Sequence, residues 1–262
     1  GLKGFLKWQI QEFTLNRVNA IITDSLSSKK DIVKYAGIED TKINVIYLAA
    51  GEEFQRIHNS EFIIQNLRRK YNLPDKFVLY VGDVTWNKNL PRLIAAVQKI
   101  DIPLVLVGKA LVDANADLNN SWNKDLVNVR KMIDGDKRII LLGFVPTKDL
   151  VLLYNMAAVF AMPSIYEGFG LPILEAMSCG CPVVTSRQGS IPEIAGEACR
   201  YVDAYNTESI VLGISEVFNN QNLQKEFSEK AIRQSRKFTW SKTAKETIQV
   251  YKNVGLAVKP RE

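Results

Sequence analysis

The chain has 262 residues, enough for one large domain or two small ones at roughly 100–200 residues per domain. At 47% hydrophobic and 24% charged residues it has the make-up of an ordinary soluble globular protein, which excludes a disordered, collagen-like or low-complexity chain. The net charge of +6 favours anionic partners, but the basic clusters are short (Arg68-Arg69-Lys70), and no zinc-finger spacing, RNP-type aromatic motif or long basic helix speaks for nucleic acid.

The chain opens on Gly1 rather than Met, as a piece of a longer chain would, and without the long apolar stretch and cleavage site of a signal peptide. Leu2, Phe5, Leu6, Ile10, Phe13 and Val18 recur at helical spacing, with Lys3, Lys7 and Arg17 on other faces. That pattern predicts a helix over 2–18 packed on a domain core, with a helix lying on a membrane surface as the alternative. Residues 20–23 read as a buried strand. Ser25 or Ser27 caps a helix over 28–36 that Gly37 ends, and 43–48 is the next strand. Residues 49–75 turn polar and charged and read as a hinge or linker with one helix near 60–71.

From residue 77 short apolar runs recur at 77–81, 104–107, 139–142, 159–162, 183–185 and 200–202. Most are continuous rather than alternating, as in parallel strands covered on both faces. Helical patterns separate them, with Leu90, Leu93, Ile94, Val97 and Ile100 in 90–100 and Leu150, Leu153 and Tyr154 in 148–156. The alternation predicts an α/β fold with a Rossmann-like, doubly wound parallel sheet, its ligand beyond the strand C-termini. A last helix covers 240–254 with Ala244, Ile248 and Tyr251 on one stripe. No apolar run approaches the ~18–20 residues of a membrane-spanning helix. Three cysteines (Cys179, Cys181, Cys199) make no disulfide framework and fit a reducing compartment. The expectation is therefore a cytoplasmic protein, with the inner face of the membrane as the alternative.

Two stretches carry chemistry. In Tyr80-Val81-Gly82-Asp83-Val84-Thr85-Trp86-Asn87-Lys88-Asn89-Leu90 a strand ends at Gly82, and Lys88 stands beside a helix N-terminus, where a dipole and free amides favour an anion such as a diphosphate. A plain surface lysine is the competing reading. In Pro163-Ser164-Ile165-Tyr166-Glu167-Gly168-Phe169-Gly170-Leu171-Pro172-Ile173-Leu174-Glu175-Ala176, Gly168 and Gly170 permit unusual backbone angles and close approach. Pro172 suits a first helical turn, so amides of residues 168–171 would point at an anion. Glu167 and Glu175 can face one cleft, where carboxylates accept from the vicinal hydroxyls of a ribose or hexose. The competing reading has Glu175 complementing the helix dipole and Glu167 solvated.

These motifs resemble the retaining GT-B glycosyltransferases of the family 4, or group 1, type. Glu167 and Glu175 match that family's Glu-x7-Glu motif, and the surrounding run through Met177-Ser178-Cys179-Gly180-Cys181-Pro182-Val183-Val184 matches almost position by position. Residues 189–198 resemble the next family block, Leu142-Gly143-Phe144-Val145 the loop that meets the nucleotide base, and Gly82 with Lys88 the phosphate loop. The resemblance covers roughly 20–255.

It implies the C-terminal half of a GT-B fold with a remnant of a second α/β domain. Residues 1–50 would end an acceptor-side domain, 51–75 form a hinge, 76–238 bind the donor, and 239–262 cross back. It implies a nucleotide-sugar-dependent, metal-independent hexosyl transfer with retention, with no cofactor. Lys88 would bind the donor diphosphate, the amides of Gly168, Phe169, Gly170 and Leu171 the phosphate and sugar, Glu167 the transferred sugar, Glu175 the ribose, and Phe144 and Val145 the base. The phosphate-loop variant looks most like mannosyltransferases of bacterial polysaccharide assembly. That makes GDP-mannose the preferred donor and a UDP-hexose the runner-up, with a glycan or lipid-linked acceptor.

Two departures stand out. Asp83 stands where many members of the family carry Arg; an acid there weakens diphosphate binding and shifts weight onto Lys88. The acceptor-side domain is also incomplete, which suggests a fragment or a separate partner chain. The rivals are a non-catalytic nucleotide-sugar-binding subunit and a GT-B-type sugar-nucleotide epimerase. His58, the single histidine, speaks against a His-based triad, and no G-x-G-x-x-G fingerprint supports a dehydrogenase. Cys179 and Cys181 read as small buried residues, while Trp86 and Tyr166, flanking the two loops, read as packing the donor pocket, with a plain core or rim position as the alternative.

Overall fold

The computed structural model describes residues 2–57 and 61–255, with all side chains except those of residues 2, 3, 5, 6, 8 and 12. His58 lies outside the described residues. In chain order the elements are α1 (Leu2–Arg17), β1 (Ile21–Thr23), α2 (Leu26–Ala36), β2 (Ile43–Val45), α3 (Glu61–Tyr71), β3 (Val78–Val81), α4 (Leu90–Ile100), β4 (Leu104–Val107), α5 (Lys109–Val112), α6 (Lys124–Ile133), β5 (Ile139–Gly143), α7 (Thr147–Met156), β6 (Val159–Met162), α8 (Leu171–Ser178), β7 (Val183–Ser186), α9 (Ile191–Ala195), β8 (Arg200–Val202), α10 (Thr207–Asn219), α11 (Gln221–Ser235) and α12 (Trp240–Asn253). They form two compact units, residues 1–49 with 238–262, and residues 50–237.

The larger unit is a six-stranded parallel sheet in the order β5-β4-β3-β6-β7-β8. The strands β3, β4, β6 and β7 are apolar runs with both faces buried. The edge strand β5 is half-buried, because one of its sides has no neighbour. From β3 the chain winds outward through β4 to β5, then returns to place β6 on the other side of β3 and winds outward again. With right-handed crossovers, this reversal puts the helices on both faces. The helices α4, α6 and α10 pack together, and α8 packs with α7, α9 and α11. The core is built on Phe77, Tyr80, Tyr154 and Phe160, the last two in edge-to-face contact at 5.5 Å. Helix α3 docks on α7, where Lys70 Nζ and Tyr71 Oη both donate to Asp149 at 2.5 and 2.7 Å.

The smaller unit corrects two expectations, on α1 and β1. On α1 the predicted stripe is exposed at Ile10 (67%) and Phe13 (56%), the side chains of Leu2, Phe5 and Leu6 lie outside those described, and Leu15 meets the cluster of Ala36, Ile38 and Ile43. Strand β1 is half-buried rather than buried, because it pairs only with β2 in a two-stranded parallel sheet. On α12 the stripe of Ala244, Ile248 and Tyr251 is the exposed face; Val250 is buried, and Thr243 Oγ1 donates to Tyr47 O at 2.6 Å. Helix α2 is capped as expected, with Ser25 accepting from Ser28 N and Gly37 left-handed at φ 64°. Among the described residues no helix is long and apolar enough to cross a membrane.

Candidate functional site

The winding reverses between β3 and β6, and a parallel α/β sheet opens a crevice for ligands at the C-terminal ends of such a strand pair. The two loops singled out in the sequence, 82–89 and 163–170, leave the sheet at those ends. They are stitched together. Asn87 Nδ2 donates to Tyr166 O at 3.1 Å and Asn87 O accepts from Ile165 N at 2.7 Å. Asn89, left-handed at φ 59° and buried, donates through Nδ2 to Pro163 O at 2.9 Å and Ala204 O at 2.7 Å. Gly82 starts the first loop at φ 155°, a conformation side chains rarely adopt.

The stitching brings Lys88 and Glu167 together. Lys88 Nζ lies 2.9 Å from both Glu167 carboxylate oxygens, and Ser164 Oγ donates to Glu167 Oε1 at 2.7 Å. The pair is largely withdrawn from water, with side-chain exposures of 17% and 7%. Lys88 therefore leads to a carboxylate rather than standing as a lone cation. The Tyr80 phenol is pushed far up by burial and by the charges of Glu167 and Asp83. The loop after β7 braces Glu167 from behind: Ser190 N and Oγ both donate to Glu167 O, at 3.2 and 3.1 Å. Gly189, at φ 59°, lets the two backbones meet, since a Cβ there would fall 2.5 Å from Glu167 O.

Helix α8 starts beside this pair. Gly170 takes φ 100° as its N-cap and Leu171-Pro172 forms the first turn, so the helix N-terminus faces the strand C-terminal edge. Of the two motif glycines, Gly170 takes a positive φ and Gly168 does not. Phe169 is buried and anchors the loop, while Leu171 is half-buried. Glu175, one turn further on, accepts from Tyr154 Oη at 3.0 Å. Burial, with the Glu53 charge nearby, pushes its carboxyl up to about 7.

Gly143 ends β5 at φ 62°, where a Cβ would meet Val112 at 2.6 Å. Phe144 follows with its ring exposed and Lys109 Nζ 4.9 Å from the ring centroid, while Val145 is buried. Asp83 is exposed and holds the turn through its carbonyl, which accepts from Tyr80 Oη at 2.7 Å. All three cysteines are free and buried, and burial raises the thiols of Cys179 and Cys199 to about 12. Among the described residues no group of three or more His, Cys, Asp or Glu side chains is placed to hold a metal ion. Ser164, Asn87, Asn89, Ser190 and Tyr154 also serve this site, through bonds that no sequence motif announces. All but Tyr154 stand in the stretches 80–90, 163–176 and 189–198.

Residues 63–234 match the family described as "Glycosyl transferases group 1". The chain belongs to the group 1 glycosyl transferases. It is 30% identical to the serotype-specific mannosyltransferase WbdA of Escherichia coli over 91% of its own length and 30% of that protein's. It is also 30% identical to the O-antigen chain mannosyltransferase B of Escherichia coli, over 91% of this chain and 62% of the relative. The chain thus spans less than two thirds of the length of either relative. Among solved structures it superposes on sucrose-phosphate synthase from Thermosynechococcus elongatus with a TM-score of 0.79 at 21% identity, covering 95% of this chain and 61% of that one. HepE of Anabaena, solved with UDP-glucose, gives 0.78 at 20% identity, covering 94% and 67%. These likenesses show a Rossmann-like α/β fold of the GT-B type.

Proposed function

We propose that this group 1 glycosyl transferase supplies the donor-binding half of an enzyme that moves a hexose from a nucleoside-diphosphate sugar to a glycan or lipid-linked acceptor with retention. The observation that carries the reading is the Lys88–Glu167 pair, held at 2.9 Å at the switch point beside the α8 N-terminus. A departing diphosphate needs positive charge fixed in place before the bond breaks, because preorganised charge costs no reorganisation at the moment of reaction. Lys88 and the α8 N-terminus supply it without a metal. Glu167, already aligned by Ser164 and Lys88, accepts from hydroxyls of the transferred sugar as positive charge develops at its anomeric carbon. Glu175 accepts from the ribose, and the Gly143-Phe144-Val145 loop meets the base.

The names of the Escherichia coli relatives support mannose as the sugar and GDP-mannose as the donor; the UDP-glucose held by HepE supports a UDP-hexose as the runner-up. In this reading residues 1–50 end the acceptor-side domain, 51–75 hinge it to the donor domain at 76–238, and 239–262 return to it. Glu167→Ala in the complete enzyme tests the central role. Transfer is expected to be lost, with nucleotide affinity changed only modestly. Transfer at the parental rate would overturn the assignment.

A further inference from the structure

A pocket of about 530 Å³ opens between the two stitched loops and helices α4 and α6. One wall is Trp86, 60% exposed, in the short 3-10 turn that also carries Lys88. Ile165 and Met132 add apolar surface, and Arg92, Asp125 and Asn128 stand around it. Two features separate this pocket from an incidental gap between helices. First, its aromatic wall is rigid: Asn87 and Asn89 pin the Trp86 turn to loop 163–166, so the indole is held open rather than folded onto the core. Secondly, its polar rim has capacity to spare. Arg92 is fixed by its Nη1 bond to Asn89 Oδ1 at 2.9 Å, with its guanidinium 5.7 Å over the Tyr205 ring. Among the described residues the side chains of Asp125 and Asn128 make no hydrogen bond or ion pair, although Asp125 is half-buried. Asp125 complements the dipole of α6, whose first turn it occupies, but that accounts neither for Asn128 nor for the indole beside it.

We propose that this pocket holds pyranose rings of a glycan chain. A pyranose offers an apolar face of C–H bonds and an equatorial girdle of hydroxyls. The apolar face lies on an amphipathic aromatic ring. The hydroxyls both donate and accept, and so match a carboxylate, an amide and a guanidinium set around the ring. The pocket volume lies within the ~300–1,000 Å³ range of small-ligand sites, and a rigid platform keeps the ordering entropy of binding low. The placement gives the pocket a purpose. Trp86 is two residues from Lys88 and Ile165 two from Glu167, so a chain held here runs beside the proposed donor site without occupying it. The inference deepens the glycosyl-transfer reading by naming a glycan, rather than a lipid or a small polyol, as what the protein extends.

The test is titration of the full chain with mannotetraose and with maltotetraose at millimolar concentration, followed by calorimetry and by tryptophan fluorescence. Saturable binding of at least one is expected. It should weaken at least tenfold in Trp86→Ala and in Asp125→Ala, stay unchanged in Trp122→Ala, whose exposed indole lies outside the pocket, and not be competed by GDP or UDP. The proposal is overturned if neither oligosaccharide binds, if Trp86→Ala and Asp125→Ala bind like the parent, or if a nucleotide displaces the glycan. Nucleotide titration without glycan tests the donor reading separately, so the failure of one is distinguishable from the failure of the other.

Discussion

Replacing Glu175 by Gln separates the charge of this carboxylate from its place in the fold, because the amide keeps the shape and can still accept from Tyr154 Oη. Burial raises the carboxyl from 4.5 to about 7. Between those values the folded chain holds a proton that the unfolded chain has released, so stability falls as the pH rises through the window and the full cost is present above pH 7. At 1.36 kcal/mol per pH unit the cost reaches about 3 kcal/mol. With roughly 2–4 °C of Tm per kcal/mol in a domain of this size, relief of that cost raises Tm by roughly 6–12 °C. Calorimetric melts of parent and Glu175→Gln at pH 5, 6, 7 and 8 are therefore expected to diverge. The two proteins should melt close together at pH 5, and the variant should be the more stable by several degrees at pH 8. A Tm difference that stays constant from pH 5 to 8 would refute the reasoning, since only a buried, raised carboxyl makes it grow. The same ionisation bears on ligand binding. Parental nucleotide affinity should rise as the pH passes 7 and the carboxylate forms, while Glu175→Gln stays weak throughout.

Gly189→Ala forces a Cβ to within 2.5 Å of Glu167 O at a positive φ, and is expected to destabilise the chain by about 2 kcal/mol. Urea unfolding measures this, and a midpoint equal to the parent's would show that the loop yields without strain. Asn89→Ala strips the donor from two buried carbonyls and puts alanine in a left-handed position, so a loss of about 3 kcal/mol is expected. Since Asn89 also pins the turn that carries Lys88, hydrogen exchange in 82–89 should quicken beyond the global effect. Unchanged protection there would mean that the turn is held by other contacts.

The parallel sheet was legible because its central strands are buried on both sides and so appear as unbroken apolar runs; 104–107 and 159–162 coincide with β4 and β6. Less was legible between 108 and 134, where α5 and α6 sit in a polar stretch and α6 buries only Leu126 and Val129. Helices α10 and α11 escaped naming although Ile210, Ile214 and Val217 carry the helical period and Asn206 caps α10. The stripe on α1 misled at Ile10 and Phe13 for a physical reason: periodicity locates an apolar face but not what it packs on. At the candidate site the charged residues were readable as motif positions. Their supports were not, because Ser164, Asn89 and Ser190 act through bonds to residues up to 115 positions away, and Tyr154 reaches Glu175 from another helix.

The most direct test of the donor site is calorimetric titration of this chain with GDP, UDP and ADP, repeated on Lys88→Ala. Saturable binding of one nucleotide per chain is expected, with GDP the tightest, and Lys88→Ala should weaken it at least tenfold because the diphosphate loses its fixed cation. At one hundred times its dissociation constant the bound nucleotide also stabilises the fold by about 2.7 kcal/mol, which a melt detects independently. If none of the three binds, or if Lys88→Ala binds as tightly as the parent, the paired lysine and glutamate at the switch point do not form a nucleotide-sugar site.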